Sequence, residues 1–117
     1  MGQLTTHVLD TANGCPGEAI HIKLFRVSGD GKKLIAEATT NADGRVDQPL
    51  LEGEAFAVGD YIVEFAAGNY FRARGTKLPE PAFLDFVPIR FGVADVDAHY
   101  HVPLLISPFG YSTYRGS

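Results

Sequence analysis

The chain has 117 residues, 45% of them hydrophobic, and a formal net charge of −4. A chain of this length is expected to form a single domain, residues 1–117, that buries roughly two thirds of its unfolded surface. Its mild charge and scattered basic residues argue against nucleic-acid binding, and no apolar run approaches the ~18 residues needed to span a bilayer. We therefore expect a globular protein that binds neither nucleic acid nor membrane.

Two features bear on the cellular compartment. The sequence enters a strand-like pattern directly after Met1, which leaves no room for a signal peptide, and Cys15 is the only cysteine, so no intrachain disulfide can form. Cys15 lies in a turn sequence with no base beside it, and we expect no chemical role for it. A cytoplasmic protein stabilised by packing is the expectation.

The first half of the chain has the pattern of short strands separated by turns. Residues 4–10 alternate, with Leu4 and Val8 on one face and Thr5 and His7 on the other, but the alternation leaves open which face is buried. Strands are also predicted at 18–27 and 34–40, joined as a hairpin. A turn at 41–44 then places Arg45 at the start of a short predicted strand, 45–48.

The second half continues this pattern up to the last segment. Residues 50–59 have no clear period and are expected to form a loop or a turn of helix, whereas 61–66 and 86–93 predict strands. Residues 68–75 can hold one short helix. Seven or eight short strands with turn signals roughly every ten residues are typical of an antiparallel β-sandwich.

The final segment, residues 99–117, predicts two antiparallel strands around a turn. Between 99 and 106, the apolar residues Tyr100 and Val102 share one face, and His99 and His101 share the other. Pro108 and Gly110 mark the turn, after which 111–115 predicts the second strand. One face of this hairpin can therefore join a core while the other presents imidazoles.

Three separated motifs occur in an order that points to a known family. They are Leu4-Thr5-Thr6-His7-Val8-Leu9-Asp10, Thr40-Asn41-Ala42-Asp43-Gly44-Arg45 and the ending Tyr114-Arg115-Gly116-Ser117. With them the chain resembles the transthyretin-related 5-hydroxyisourate hydrolases over essentially its whole length, and the ending is what separates these enzymes from transthyretin. The resemblance implies a prealbumin-like sandwich of two four-stranded sheets, a homotetramer built as a dimer of dimers, and a role in urate and purine catabolism.

The resemblance also implies the site residues. The catalytic set is His7, Arg45, His101 and Ser117, with His7, Arg45 and Tyr114 binding the substrate. An imidazole can take a proton from water near neutral pH, and a guanidinium offers a planar fork of donors for ring carbonyls and a developing oxyanion. His99 and His101 share a face about 7 Å apart, so the strand pattern does not choose between them. The resemblance selects His101.

The same residues allow three other interpretations. His99 and His101 with His7 could form a zinc site, but the nearby sequence offers no clear acidic ligand and the family is not thought to need metal, so we expect no metal or other cofactor. A transthyretin-like carrier of a small aromatic ligand predicts an apolar channel, whereas Arg45 and the histidines would make a polar one. The charge pattern does not favour a simple interaction module. Arg115 is expected to fix the tail through salt bridges.

Overall fold

The computed structural model describes residues 1–117 and contains nine β-strands and one α-helix. In chain order these are β1 Gln3–Asp10, β2 Cys15–Pro16, β3 His21–Ser28, β4 Gly31–Thr39, β5 Leu51–Glu52, β6 Gly59–Ala66, α1 Ala67–Ala73, β7 Phe86–Val93, β8 His99–Ser107 and β9 Gly110–Thr113. A single turn of 3-10 helix covers Gly53–Ala55. None of the helices has the length and hydropathy required to cross a membrane.

The strands form two sheets that pack as a sandwich. The first sheet has the order β2-β1-β8-β9, with β5 also paired to β1, and the second has the order β4-β3-β6-β7. The β-sandwich expected from the sequence is confirmed, with one sheet of five strands where four were expected. One pairing also departs from the predicted antiparallel arrangement, since β1 and β8 run parallel, with Thr5 opposite His101.

The core lies between the sheets and is built from the inward-facing residues of both. In β1 the buried residues are Leu4, Thr6, Val8 and Asp10, which settles the question that alternation left open. The opposing sheet contributes apolar residues at every second position of β3, β6 and β7: Ile22, Leu24, Tyr61, Val63, Phe65, Val87 and Ile89. Because β1 buries this face, its other face, with Thr5 and His7, lies on the outside of the sandwich.

Several segments differ from the sequence prediction. The short strands β2 and β5 form where a turn and a loop or turn of helix were expected. Residues 45–48 do not form a strand, and only Arg45 pairs, as an isolated bridge with His7. The reason is local: the side chain of Asn41 accepts hydrogen bonds from the Asp43 and Arg45 amides and donates one to Asp47, which holds this segment as a compact loop. The last strand also ends early, at Thr113 rather than at residue 115. The short helix expected at 68–75 is present as α1.

The end of β1 carries a buried carboxylate. Asp10 is fully buried and accepts hydrogen bonds from the Tyr70 hydroxyl and the Asn13 side chain, both at 2.7 Å, and from the Ala12 and Asn13 amides. Burial pushes the pKa of Asp10 upwards, but the hydrogen bonds from Asn13 and Tyr70 outweigh it and hold the pKa below its ordinary value of 3.8. Asp10 therefore remains ionised and ties β1 to α1.

Candidate active site

The outer face of the first sheet brings two histidines to one threonine. Because β1 and β8 pair in register, Thr5 lies beside His101 on the outside of the sandwich. The Thr5 Oγ1 atom is 2.8 Å from His99 Nε2 and 2.8 Å from His101 Nδ1. The two ring centroids are 6.4 Å apart, close to the spacing expected from the strand. His99 is exposed and His101 is half-buried, so the second imidazole is the more enclosed of the two.

The loop after β4 delivers Arg45 next to His7. Gly44 has a positive φ of 76° and its carbonyl accepts a hydrogen bond from the Val8 amide at 2.8 Å. His7 Nε2 lies 3.0 Å from the Asp43 carbonyl oxygen. A carbonyl only accepts hydrogen bonds, so His7 Nε2 carries a proton, which leaves Nδ1 free when the ring is neutral. The loop thus fixes both the position of Arg45 and the orientation of His7.

The chain after β9 folds back onto His101. The Gly116 amide donates a 2.7 Å hydrogen bond to the His101 carbonyl, and a Cβ on Gly116 would lie 2.5 Å from His101 Cδ2. Arg115 stacks over the Tyr100 ring, with Cζ 4.0 Å from the centroid. The expectation that salt bridges hold Arg115 was therefore wrong, because its guanidinium faces an aromatic ring.

Three of the predicted site residues meet in one open pocket. The pocket has a volume of about 290 Å³. Its lining residues are Thr5, Thr6, Arg45, Val46, His99, His101 and Ser117. His7 is the bridge partner of Arg45 at the edge of this pocket. Tyr114 lies elsewhere: it lines a second cleft, of about 330 Å³, between the β7 edge and the tail. Within one chain, the structure brings together all of the predicted site residues except Tyr114.

Comparison with known proteins identifies the family of the chain. A family model described as HIUase/Transthyretin family matches residues 4–116. The chain belongs to the HIUase/transthyretin family. A relative named 5-hydroxyisourate hydrolase 2, from Rhizobium meliloti (strain 1021), is 63% identical over 99% of this chain and 97% of its own length.

Two solved structures extend the family comparison. The crystal structure of (S)-allantoin synthase superposes with a TM-score of 0.93 at 50% identity; it covers 99% of this chain, which spans only 44% of that longer protein. Sea bream transthyretin in complex with thyroxine gives a TM-score of 0.87 at 28% identity, over 97% of this chain and 94% of its own. The resemblance stated from the three motifs is thereby confirmed.

The electrostatics of this pocket favour a neutral imidazole at His101. Partial burial is the main cause that lowers the pKa of His101 from its ordinary value of 6.5, and the charges of Arg45, His7 and His99 lower it further. A neutral imidazole can accept a proton at neutral pH. No group of three His, Cys, Asp or Glu side chains is placed to hold a metal ion, so the considered His7, His99 and His101 set is not a preformed site.

Two residues that organise the pocket were not predicted from the sequence. Thr5 joins the two histidines of β8, and Asn41 shapes the loop that carries Arg45. Alternation did place Thr5 on the same face as His7, but only the parallel pairing of β1 with β8 shows that it contacts His99 and His101. The Asn41 signal was available in its turn sequence, because asparagine side chains commonly bond to the backbone two residues later.

Proposed function

We propose that this protein is a 5-hydroxyisourate hydrolase that opens the six-membered ring of its substrate at the lactam. The observation that carries the proposal is the pocket that joins Arg45, His101 and Ser117, with His7 at its edge. The proposal is further supported by the relative of that name, which is 63% identical over nearly the whole of both chains. The product would be 2-oxo-4-hydroxy-4-carboxy-5-ureidoimidazoline, which places the reaction in urate catabolism.

The residues of the pocket supply the groups that lactam hydrolysis needs. His101 would take a proton from water as the water oxygen bonds to the lactam carbon, and the carbonyl oxygen would become an oxyanion. Arg45 would bind that oxyanion with its planar donors. The carbon–nitrogen bond then breaks, and the proton held by His101 passes to the departing nitrogen. His7 would orient the water through its free Nδ1.

Tyr114 and Ser117 enter this scheme as substrate-pocket residues, and Tyr114 requires a second subunit. The edges of β7 and β9 lie on the same side of the sandwich and flank the cleft that Tyr114 lines. Unpaired strand edges favour association with a second copy. We therefore propose a homotetramer, a dimer of dimers, in which Tyr114 approaches the pocket of another chain. Light scattering on the purified protein would measure its mass.

The cytoplasm is the proposed compartment, and it can be tested separately from the mass. Fractionation of cells that express the protein would locate it. Recovery of the activity outside the cytoplasmic fraction would contradict this part of the proposal.

A carrier without turnover is the second candidate. Its support is the likeness to sea bream transthyretin, whose structure contains thyroxine. The pocket of this chain is polar, with a guanidinium and two imidazoles among its lining residues, whereas a hydrophobic hormone would favour an apolar lining. This chemistry ranks the carrier below the hydrolase.

The deciding experiment follows the ultraviolet decay of freshly generated 5-hydroxyisourate. Wild type should accelerate the decay, and His101→Ala should lower kcat by about 10²–10⁴, the usual contribution of a general base. His7→Ala and Arg45→Ala should also reduce kcat/KM strongly. His21→Ala is the matched control, because His21 is an exposed histidine paired with Glu37 on the other sheet.

Three outcomes are distinguishable. Wild-type decay no faster than buffer would reject the hydrolase. Tight thyroxine binding in a calorimeter together with no turnover would favour the carrier. Equal loss of activity in His21→Ala and His101→Ala would contradict a catalytic role for the pocket.

A further inference from the structure

The hydroxyl of Thr5 lies between two imidazoles and can donate its hydrogen to only one of them. Its Oγ1 atom is 2.8 Å from a nitrogen of each ring, His99 Nε2 and His101 Nδ1. The Thr5 hydroxyl has one hydrogen to donate and two lone pairs, so it can donate to only one of the two rings. Where both rings are neutral and its hydrogen goes to one of them, the other ring donates to Thr5. The two rings and the hydroxyl then form a directed chain with two possible directions. If Thr5 instead accepts from both rings, His101 carries its proton on Nδ1.

The two directions give His101 opposite chemical roles. In one, His101 donates from Nδ1 to Thr5, and Thr5 donates to His99; His101 Nε2 then has a free lone pair and can act as a base. In the other, His99 donates to Thr5, and Thr5 donates to His101 Nδ1; His101 Nε2 then carries the proton and cannot take one from water. The direction of this chain decides whether His101 is ready to act.

We infer that Thr5 is a positioning residue that holds His101 in the tautomer with its proton on Nδ1, so that the Nε2 lone pair is available to the pocket. The inference deepens the proposed hydrolase function and rests on it for its catalytic consequence. Thr5 itself contacts no reacting atom in this scheme. It acts through the orientation and the proton position of His101.

The surroundings of the two rings favour this direction. His101 has no side-chain hydrogen bond other than the one to Thr5, and the pocket that it lines also contains the Arg45 guanidinium. A nearby positive charge favours a lone pair over an N–H group directed into the same space. His99 is exposed, so its Nδ1 can donate to water while its Nε2 accepts from Thr5. Nothing on the His99 side opposes the base-ready direction.

The direct test is nitrogen NMR of histidine-labelled wild-type protein above pH 7. The His101 signals, assigned by their loss in His101→Ala, should show a protonated Nδ1 and an unprotonated Nε2. Thr5→Val should shift this ring away from that tautomer, and Thr5→Ser, which keeps the hydroxyl, should retain it. A wild-type His101 protonated on Nε2 would overturn the inference, and this measurement requires neither activity nor a folded valine variant.

The kinetic test separates positioning from structural support. Thr5→Val should lower kcat by about 10–100-fold while KM stays within about twofold, because the substrate still binds but the base is misdirected. Thr5→Ser should recover kcat to within about threefold of wild type. An unchanged kcat in Thr5→Val would overturn the catalytic consequence.

Thr11→Val is the matched control. The Thr11 hydroxyl, directly after β1, donates to the Ile106 carbonyl at 3.1 Å and so links the same two strands at their far end, without touching a histidine. It should change neither the His101 tautomer nor kcat. If wild type shows no hydrolysis at all, the proposed function fails, while the NMR spectrum still decides the direction of the hydrogen-bond chain.

Discussion

The two walls of the pocket are held in place by different means. The histidine wall consists of β1 and β8, which pair continuously from Gln3 opposite His99 to Asp10 opposite Ile106. The opposite wall, formed by Arg45 and the residues after β9, is attached through one isolated bridge at Arg45 and one at Gly116. A continuous strand pair fixes side chains through many bonds, whereas each of these bridges depends on a few atoms. The pocket therefore has one wall that is held by continuous strand pairing, the histidine wall. Its other wall is held only by isolated bridges, and we call it the conditional wall.

Glycine occurs at both attachment points of the conditional wall. At Gly44 the positive φ and the carbonyl of Val8 exclude a side chain, and at Gly116 the His101 ring excludes one. Substitutions at these two positions therefore loosen the conditional wall without replacing any group proposed to react.

Gly44→Ala should produce the largest effect. The new methyl group would collide with the Val8 carbonyl oxygen and would occupy a backbone conformation that non-glycine residues rarely adopt. We expect the free energy of unfolding to fall by about 1–3 kcal/mol, since strained backbone positions carry costs of this order. Loss of the Arg45 position should lower kcat/KM about 100-fold. Urea unfolding and the ultraviolet assay measure the two effects.

Gly29→Ala separates backbone strain from collision. Gly29 also has a positive φ, of 58°, but a side chain there would meet nothing within 4 Å. It should lose stability through strain alone and keep its activity. Equal activity losses in the two variants would contradict the special role of the Gly44 contact.

Gly116→Ala should have an intermediate effect. Its Cβ would displace the His101 ring and so disturb the hydrogen bond from this ring to Thr5. We expect kcat to fall about 10–100-fold. Stability should stay within about 0.5 kcal/mol, because Gly116 lies near the surface and outside the core. Steady-state kinetics and thermal unfolding would test the pair of expectations.

The control for this variant is Gly110→Ala, in the same final segment. A Cβ at Gly110 would meet only the Ser107 hydroxyl, at an ordinary 3.7 Å. It should leave kcat near wild type. A Gly116→Ala enzyme with wild-type kcat would show that the tail does not set the position of His101.

Arg45→Gln should change the pKa of His101, and this is the smallest of the expected energetic effects. Burial lowers the pKa of His101 first and Arg45 lowers it next, so removing this positive charge should move the pKa of His101 back towards 6.5. NMR titration of the His101 ring measures this directly. Lys33→Gln, which removes an exposed positive charge from β4, should leave the titration unchanged, and an equal shift there would indicate a general charge effect.

The same shift fixes the sign of the pH dependence of stability. Because His101 binds a proton less readily in the folded state than in the unfolded state, its contribution to stability is fully present above the unfolded pKa of about 6.5. That contribution is lost as the pH falls through the lower folded pKa. Arg45→Gln should bring the folded pKa of His101 closer to the unfolded one. It should therefore narrow the pH range between the two pKa values, over which this contribution is lost.

Local patterns predicted much of the histidine wall and less of the conditional wall. Alternation placed His99 and His101 together on the face opposite Tyr100 and Val102, and the turn motif placed Arg45 directly after Gly44. Residues 45–48 were wrongly expected to form a strand, because the bonds that Asn41 makes outweigh the strand pattern there. Short-range bonding by one side chain is difficult to weigh against periodicity from sequence alone.

The contacts that the sequence could not reveal are those between distant segments. Nothing in residues 4–10 indicates that their neighbour is β8 or that the pair is parallel, so the meeting of Thr5 with His101 was invisible. The buried Asp10 is a similar case, because a carboxylate at the end of a strand is ordinarily solvated. Its partners include the local Ala12 and Asn13 and also the distant Tyr70, which the sequence around Asp10 does not reveal.

The adjacency of β1 and β8 also has a consequence for biosynthesis. Thr5 reaches partners that are 94 and 96 positions further along the polypeptide, a separation that makes this pairing slow to form. A nascent chain translated only as far as β7 has neither imidazole of β8, and its β1 still exposes the edge that β8 will cover. Such an exposed edge favours pairing with other chains until β8 has been synthesised.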